Sequence, residues 1–545
     1  MRFQRVVQFI SFISFIVLLW LAAFPLVSPV PVDVFLGLDP VIFWGTALST
    51  RSFASLIWFS LIVLAFTVFI GRFFCSTICP MGATIDFTDR LIRSKQKKTV
   101  QQPTHAKSLK YLKYQLLLVI LGSALMGVSL VFIASPISLI THFYGLIIHP
   151  ALCLIADKLL IIARPVADYF DITSLSYAQI AVPNFALQWF SAILFVLIFA
   201  CAVWTPRFWC RYLCPSGAIF ALFSVNPFWK RQVSEECIQC GRCQKHCPMS
   251  AIGEHPFETE HSECIVCETC VKVCPVNAVS FTCTGFKKTT LSPAFSKSRR
   301  KFIWAGASGV GAGIVSLTDM KSFHQDSAIA KIIPPELIRP PGALPEKDFL
   351  ARCVRCGECM KACPSNTLQP IGLAAGFSAF FSPKITPGRG PCESLCNVCG
   401  HVCPTGAIRP LPVEEKIWAK MGTAHILKHK CLAWEFNKKC MVCDEVCPYN
   451  AIEFKVTPGS SVAVPFINES KCSGCGFCEH FCPVHANAAI MVEPMGALRI
   501  EQGSHREKAK QMGLSLQIKK ARDEAPEAYP LPEYDGQGLP PGFTE

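Results

Sequence analysis

Most of the 31 cysteines in this 545-residue chain fall in tight runs. Two of the runs are Cys237-x-x-Cys240-x-x-Cys243-x-x-x-Cys247-Pro248 and Cys264-x-x-Cys267-x-x-Cys270-x-x-x-Cys274-Pro275. At this spacing three neighbouring thiolates grip one [4Fe–4S] cube, and the fourth cysteine reaches across to a second. The expected sets are Cys237, Cys240, Cys243 with Cys274, and Cys264, Cys267, Cys270 with Cys247. Zinc also accepts four thiolates, but three evenly spaced cysteines with a distant fourth favour the cube. An odd number of clustered cysteines argues against a disulfide framework.

Four further motifs lie downstream. Cys353, Cys356, Cys359 and Cys363 form the first, and Cys472, Cys475, Cys478 and Cys482 the last. Between them, Cys392, Cys396, Cys399 and Cys403 open with a wider gap, as do Cys431, Cys440, Cys443 and Cys447. Each ends in Cys-Pro, and their 16 cysteines suffice for four cubes, six in the whole chain. The two irregular motifs stand side by side. That predicts nested sharing, the outer two motifs with each other and the inner two with each other.

Two shorter pairs remain, Cys75-x-x-x-Cys79-Pro80 and Cys210-x-x-x-Cys214-Pro215. A spacing of four puts both sulfurs of a pair on one side of a helical turn. The four thiols are candidates for a metal or cluster site or a dithiol couple. Cys153, Cys201 and Cys283 have no partner spacing. No Cys-x-x-Cys-His occurs, so covalent haem is not expected. Gly306, Gly309, Gly311 and Gly313 lack the spacing of a nucleotide loop and read as helix packing.

These motifs need elements to hold them. Apolar residues make up 51% of the chain and mean hydropathy is +0.38. Residues 8–27, 52–71, 114–133 and 185–204 are uncharged and near the roughly 20 residues that a spanning helix takes. None contains histidine, which disfavours haem b among them. Segment 141–163 carries Asp157 and Lys158 and reads as a helix in the membrane interface, with His142 and His149 as polar anchors or a quinone contact. The net charge of +14 concentrates beside these runs: Arg90, Arg93, Lys95, Lys97, Lys98, Lys107, Lys110 and Lys113 stand together without an acid. Such charges set orientation, with basic flanks in the cytoplasm, so nucleic acid is not an expected partner. A fifth apolar run, 302–317, follows Ser298-Arg299-Arg300-Lys301 and reads as a twin-arginine signal or anchor.

The expected fold class is therefore a membrane α-helical bundle, four spans plus a fifth signal or anchor helix, carrying α+β ferredoxin-like domains. Residues 1–230 would form the membrane domain, 231–288 a cytoplasmic two-cluster ferredoxin, 296–320 the signal or anchor, 346–500 a periplasmic four-cluster ferredoxin and 501–545 an extended polar tail.

Residues 1–288, with Phe74-Cys75-Ser76-Thr77-Ile78-Cys79-Pro80 and Trp209-Cys210-Arg211-Tyr212-Leu213-Cys214-Pro215, resemble the NapH family of membrane polyferredoxins. Residues 298–499, with the twin arginines, Arg339-Pro340-Pro341-Gly342-Ala343 and four cysteine motifs, resemble the NapG/MauM ferredoxin-type proteins. The resemblance implies a multi-pass protein of the inner membrane that oxidises quinol. Its electrons would pass to a periplasmic reductase, typically of the nitrate system, or to a cytochrome c. Its partners would then be the membrane quinone pool and that acceptor. The resemblance assigns no residue to quinol oxidation. The alternative is a metal or cofactor maturation factor, with Cys75, Cys79, Cys210 and Cys214 as its working thiols.

Overall fold

Helix-forming runs are plentiful in the first 225 residues, but glycines and turns cut most of them short. The computed structural model describes residues 2–26, 31–52, 57–94, 109–283, 337–458, 460–484 and 488–519, with scattered positions from 304 to 314. Among these, two helical stretches are long and apolar enough to cross a bilayer: Gln4–Leu21, within the helix Arg2–Leu21, and Pro136–Tyr169. The expected bundle of four spans plus an anchor is therefore corrected. The run at 52–71 yields the helix Ile57–Ile70, stopped by Gly71 in a left-handed conformation. The run at 114–133 yields Leu112–Leu125 and turns at Gly127, also left-handed. The run at 185–204 starts its helix only at Gln188, after a left-handed Leu187. Each falls short of the roughly 20 residues needed. Segment 141–163, expected to lie flat, instead belongs to the continuous Pro136–Tyr169 stretch, which includes a π-helical turn at Phe143–Ile148.

The helical unit shares one apolar core with parts of both cysteine-rich units. Phe15, Leu36, Val41, Ile120, Ile137, Phe195 and Phe220 meet Cys75, Cys79, Cys210 and Cys214, and the same core reaches Met249 and Ile265 on one side and Val354 and Cys356 on the other.

The first ferredoxin unit is closed by β1 (Trp229–Val233) and β2 (Val279–Cys283), antiparallel with Trp229 opposite Cys283. The second ferredoxin unit, from 337 to 519 and outermost along the chain (the outer unit), is built in two halves. In the first, β3 (Leu368–Pro370) pairs with β4 (Pro383–Ile385), and Ala343 bridges Ile408. In the second, β5 (Thr423–Ile426) pairs with β8 (Ile490–Glu493), and β6 (Ile452–Lys455) with β7 (Val464–Ile467). The tail expected to be extended opens instead with the helix His505–Gln511, and Leu516 beyond it is buried in the outer-unit core. The twin-arginine pair lies outside the described residues, as does the tail from 520 onward.

The two ferredoxin units hold opposite ends of the first helix, Arg2–Leu21. At its start Gln4 Nε2 donates to the Val266 carbonyl at 2.9 Å. At its end Lys361 Nζ donates to the carbonyls of Leu19, Trp20 and Ala22 at 2.5, 3.0 and 2.9 Å. A helix of this length spans about 30 Å.

Candidate iron–sulfur sites

In the four regular motifs the residues on either side of the second cysteine adopt left-handed conformations: Gln239 and Gly241, Val266 and Glu268, Arg355 and Gly357, Gly474 and Gly476. Two such residues flanking one cysteine curl the loop so that three sulfurs face one space. Val266 is β-branched and ill suited to that region, which marks the conformation as imposed by the site.

The curled loops close on five cavities, each lined by four cysteines. They group Cys247 with Cys264, Cys267 and Cys270; Cys403 with Cys353, Cys356 and Cys359; Cys363 with Cys392, Cys396 and Cys399; Cys447 with Cys472, Cys475 and Cys478; and Cys482 with Cys431, Cys440 and Cys443. The first of these is the crosswise set that the spacing predicts. Cys237, Cys240, Cys243 and Cys274 remain for the sixth site, whose Cys240 is exposed and whose Cys243 Sγ accepts from Arg231 Nη2 at 3.6 Å. The nested sharing expected in the outer unit is overturned: neighbouring motifs share, because each half closes through its own strands. The first cysteines of the irregular motifs, Cys392 and Cys431, do line cavities.

Fourth cysteines share a second feature. Cys247 Sγ accepts from Ala251 N at 3.3 Å, Cys403 from Ile408 N at 3.5 Å, Cys447 from Ala451 N at 3.4 Å and Cys482 from Ala489 N at 3.3 Å. The proline after each turns the chain so that a later amide returns to the sulfur. Each set of four thiols faces one shared cavity. Among the described residues no three ligands close tightly enough for one bare ion. Thiols set apart around a void suit a cube better than a tetrahedral zinc ion. Burial pushes the Cys264 and Cys475 thiols up to about 12, so charge from a metal is what would keep such thiolates ionised.

The cavities of the outer unit connect in series. Cys356 belongs to the apolar core of the helical unit. Cys363 joins its half's two cavities through the motif it closes. Cys392 N then donates to the Cys475 carbonyl at 2.7 Å, linking the two halves.

A further group of thiols lies within the helical unit. Cys75, Cys79, Cys210 and Cys214 are all buried, and each is near enough to the other three to influence them electrostatically. Cys214 caps the helix Pro215–Phe223, its sulfur accepting from Gly217 N at 3.2 Å. Gly82 and Gly217 stand at matching places, three residues after the second cysteine of each pair. A Cβ on Gly82 would fall 2.6 Å from the Cys75 carbonyl, and one on Gly217 2.8 Å from Arg72 Nη2. Burial raises the Cys210 thiol to about 12, against the pull of Arg207.

Buried cations surround this quartet. Arg207 donates to the Cys75 carbonyl at 3.0 Å and pairs with Asp86. Arg72 and Lys113 share Glu263, at 2.9 and 2.5 Å. Burial works to raise the Glu263 carboxyl, but Arg72 and Lys113 hold it below its usual range. None of these partners was evident from the sequence, because up to 191 residues separate them. His142, expected as an interfacial anchor, is instead buried against Gly357 and Phe381 of the outer unit.

Comparison with known proteins agrees with this architecture. A family model described as a 4Fe-4S binding domain matches residues 52–99, 187–232 and 398–411, and its first two stretches contain the two Cys-x-x-x-Cys-Pro pairs. Models of 4Fe-4S dicluster domains match 236–279 and 438–486, and a further 4Fe-4S binding domain matches 349–369. The methylamine utilization ferredoxin-type protein MauM of Methylorubrum extorquens is 36% identical over 206 residues, 36% of this chain and 90% of the relative. The ferredoxin-type protein NapG of Escherichia coli is 36% identical over 177 residues, 31% of this chain and 75% of the relative. NapG of Haemophilus influenzae is 32% identical over 231 residues, 40% and 80% of the respective chains. Multiple 4Fe-4S domains and their cysteines make the chain an iron–sulfur electron-transfer protein of ferredoxin type.

Proposed function

This chain belongs, through its C-terminal region, to the ferredoxin-type family of MauM and NapG, and from that premise we propose that it conducts electrons from membrane quinol to a periplasmic acceptor. The observation that carries the reading is the serial order of the outer cavities, from Cys356 at the helical core to the Cys431 quartet at the far end. Six [4Fe–4S] clusters would be held by the 24 motif cysteines, in the crosswise and neighbour-shared sets described above. Bound clusters supply one-electron chemistry. The chain's own residues fix the spacing of the sites, keep most of them from water and offer an exit.

That exit is the Cys431 quartet, where Lys438 and Lys439 are exposed beside the motif. A cationic rim there favours an acidic partner surface. The acceptor belongs to a nitrate-reductase type of system, in keeping with the NapG relatives, and attachment is through Arg2–Leu21 and Pro136–Tyr169. With the ferredoxin units at opposite ends of the first helix, the N-terminal one would face the cytoplasm and the outer one the periplasm.

The test is anaerobic. The full chain is purified in detergent, its iron measured, and menaquinol or ubiquinol added while cluster reduction is followed by EPR. Six clusters require at least about 24 irons per chain. Rapid reduction by either quinol supports the reading, and iron-replete protein that neither quinol reduces overturns it.

A further inference from the structure

We propose that Cys75, Cys79, Cys210 and Cys214 together hold an iron–sulfur cluster, a seventh centre that relays single electrons between the two ferredoxin units. The inference rests on the reading of the chain as an electron conductor and adds what that reading lacks, a connection between its two ends.

Position is the first argument. The four thiols occupy the core that also contains Ile265 and Met249 of the first ferredoxin unit and Val354 and Cys356 of the outer one. Toward the first unit, Arg207 touches the Cys75 carbonyl and lies within electrostatic reach of both Cys210 and Cys267. Arg211, inside the second pair, donates to Ser250 Oγ at 2.8 Å, three residues beyond Cys247. Toward the outer unit, Ser216 and Ser135 both donate to the buried Asp39 carboxylate, at 2.5 and 2.7 Å. Ser138, one turn on from Ser135, donates to the Val354 carbonyl at 2.9 Å, beside Cys353. The thiols thus stand on a continuous line of contacts from the Cys267 cavity to the Cys353 cavity.

Charge is the second. Arg72 has no exposed surface, and its Nε and Nη2 find no hydrogen-bond partner among the described residues. Nη2 lies over Gly217, in the first turn of the helix that Cys214 caps, in space that a side chain there would fill. Glu263 meets Arg72 through Nη1 alone, and donors left unmet on a buried guanidinium are costly unless a further acceptor reaches them. A cluster held by four thiolates carries net negative charge, and this one would receive it.

Donor chemistry is the third. Four thiolates select zinc, copper(I) or iron–sulfur centres. Zinc moves no electrons, and the site lies between two sets of electron-carrying sites. An iron–sulfur centre takes one electron from a reduced cluster of one unit and gives one to an oxidised cluster of the other, with no bond made or broken.

The experiment uses full-length protein and a Cys79→Ser/Cys214→Ser variant, both purified anaerobically and reduced by dithionite. Iron, labile sulfide, zinc and copper are measured, and EPR is recorded through a redox titration. The wild type should carry iron beyond the six-cube count. The variant should lose that excess and one EPR signal, keep the remaining signals, and lose redox equilibration between the two units after partial reduction. Equal iron and spectra in the two proteins would overturn the proposal, as would zinc or copper at the site. If the variant fails to fold, the wild type still decides. Iron and sulfide at only the six-cube count, in protein whose six-cube EPR signals are complete, refutes it. Dithionite needs no quinol site, so failure of quinol reduction would refute the functional reading and leave this test intact.

Discussion

The two ferredoxin units grip the helical unit by different means. The first is tied by buried ions: Glu263 sits between Arg72 and Lys113, with side chains 0 to 4% exposed. Among the described residues the outer one is tied by Lys361 on three carbonyls of a helix end and by Arg355 over the Phe132 ring, together with neutral contacts such as Ser49 Oγ to the Ala351 carbonyl at 2.7 Å. A buried carboxylate shared by two cations leaves charge stranded when it is removed. A lysine on free helix carbonyls instead satisfies groups that any helix terminus leaves open, aided by the dipole. The first joint is therefore all-or-none and the second graded.

The largest expected effect comes from that contrast. Glu263→Gln leaves Arg72 and Lys113 buried without their anion, and should cost about 3–5 kcal/mol. Denaturant unfolding should show the loss, with iron released first from the Cys237 and Cys264 motifs. Raised salt should not restore it, because screening acts weakly on buried charge. The pH dependence has a definite sign. The folded carboxyl is held low, so its contribution is present above the unfolded value near 4.5 and disappears as pH falls through the folded value. A variant as stable as the wild type would show that the joint is not electrostatic.

Lys361→Met comes next. It removes three charge-assisted hydrogen bonds while keeping the stem that packs beside Gly145, and should cost about 1.5–3 kcal/mol. The outer unit should become sensitive to limited proteolysis while the first unit's clusters keep their spectra. Equal loosening of both units would erase the distinction between the joints.

How much of this was legible in sequence differs from site to site. The six Cys-Pro motifs were, and so was the set that joins Cys247 to Cys264, Cys267 and Cys270, because short spacing constrains where sulfurs can point. Sharing in the outer unit was not, since it is decided by strands of three or four residues, such as Leu368–Pro370 against Pro383–Ile385, which leave almost no periodic signal. The helix count went astray on local punctuation. Gly71 and Gly127 were visible stop signals inside apolar runs, whereas a left-handed Leu187 gives none. The two Cys-x-x-x-Cys-Pro pairs could be matched to each other by eye. Their cations could not, because Arg72 and Glu263 meet only through the tertiary fold. The helix at 505–511 was missed although Ser504 and Glu507 form a readable cap, with Glu507 N donating to Ser504 Oγ at 3.2 Å.

That last helix supplies the smallest prediction and extends the contrast, since the outer unit is strapped by its own C-terminal segment. Ser504 Oγ and His505 N both donate to Glu415 at 2.7 Å, Ser515 N reaches the Ser470 carbonyl, and Leu516 is fully buried. The strap thus runs from the region between the two halves onto the second. His505 is completely covered, and its ring nitrogens have no hydrogen-bond partner among the described residues. Burial, with Arg409 nearby and Glu415 opposing, lowers its pKa to about 4. Between that value and the unfolded value near 6.5, the released ring binds a proton that the docked ring refuses. Docking is therefore full above about pH 6.5, weakens as pH falls toward 4, and changes little below. Hydrogen exchange of residues 504–519 across that window should show protection falling in the wild type and staying level in His505→Gln. A parallel fall in both proteins would place the acid sensitivity elsewhere and leave the strap pH-independent.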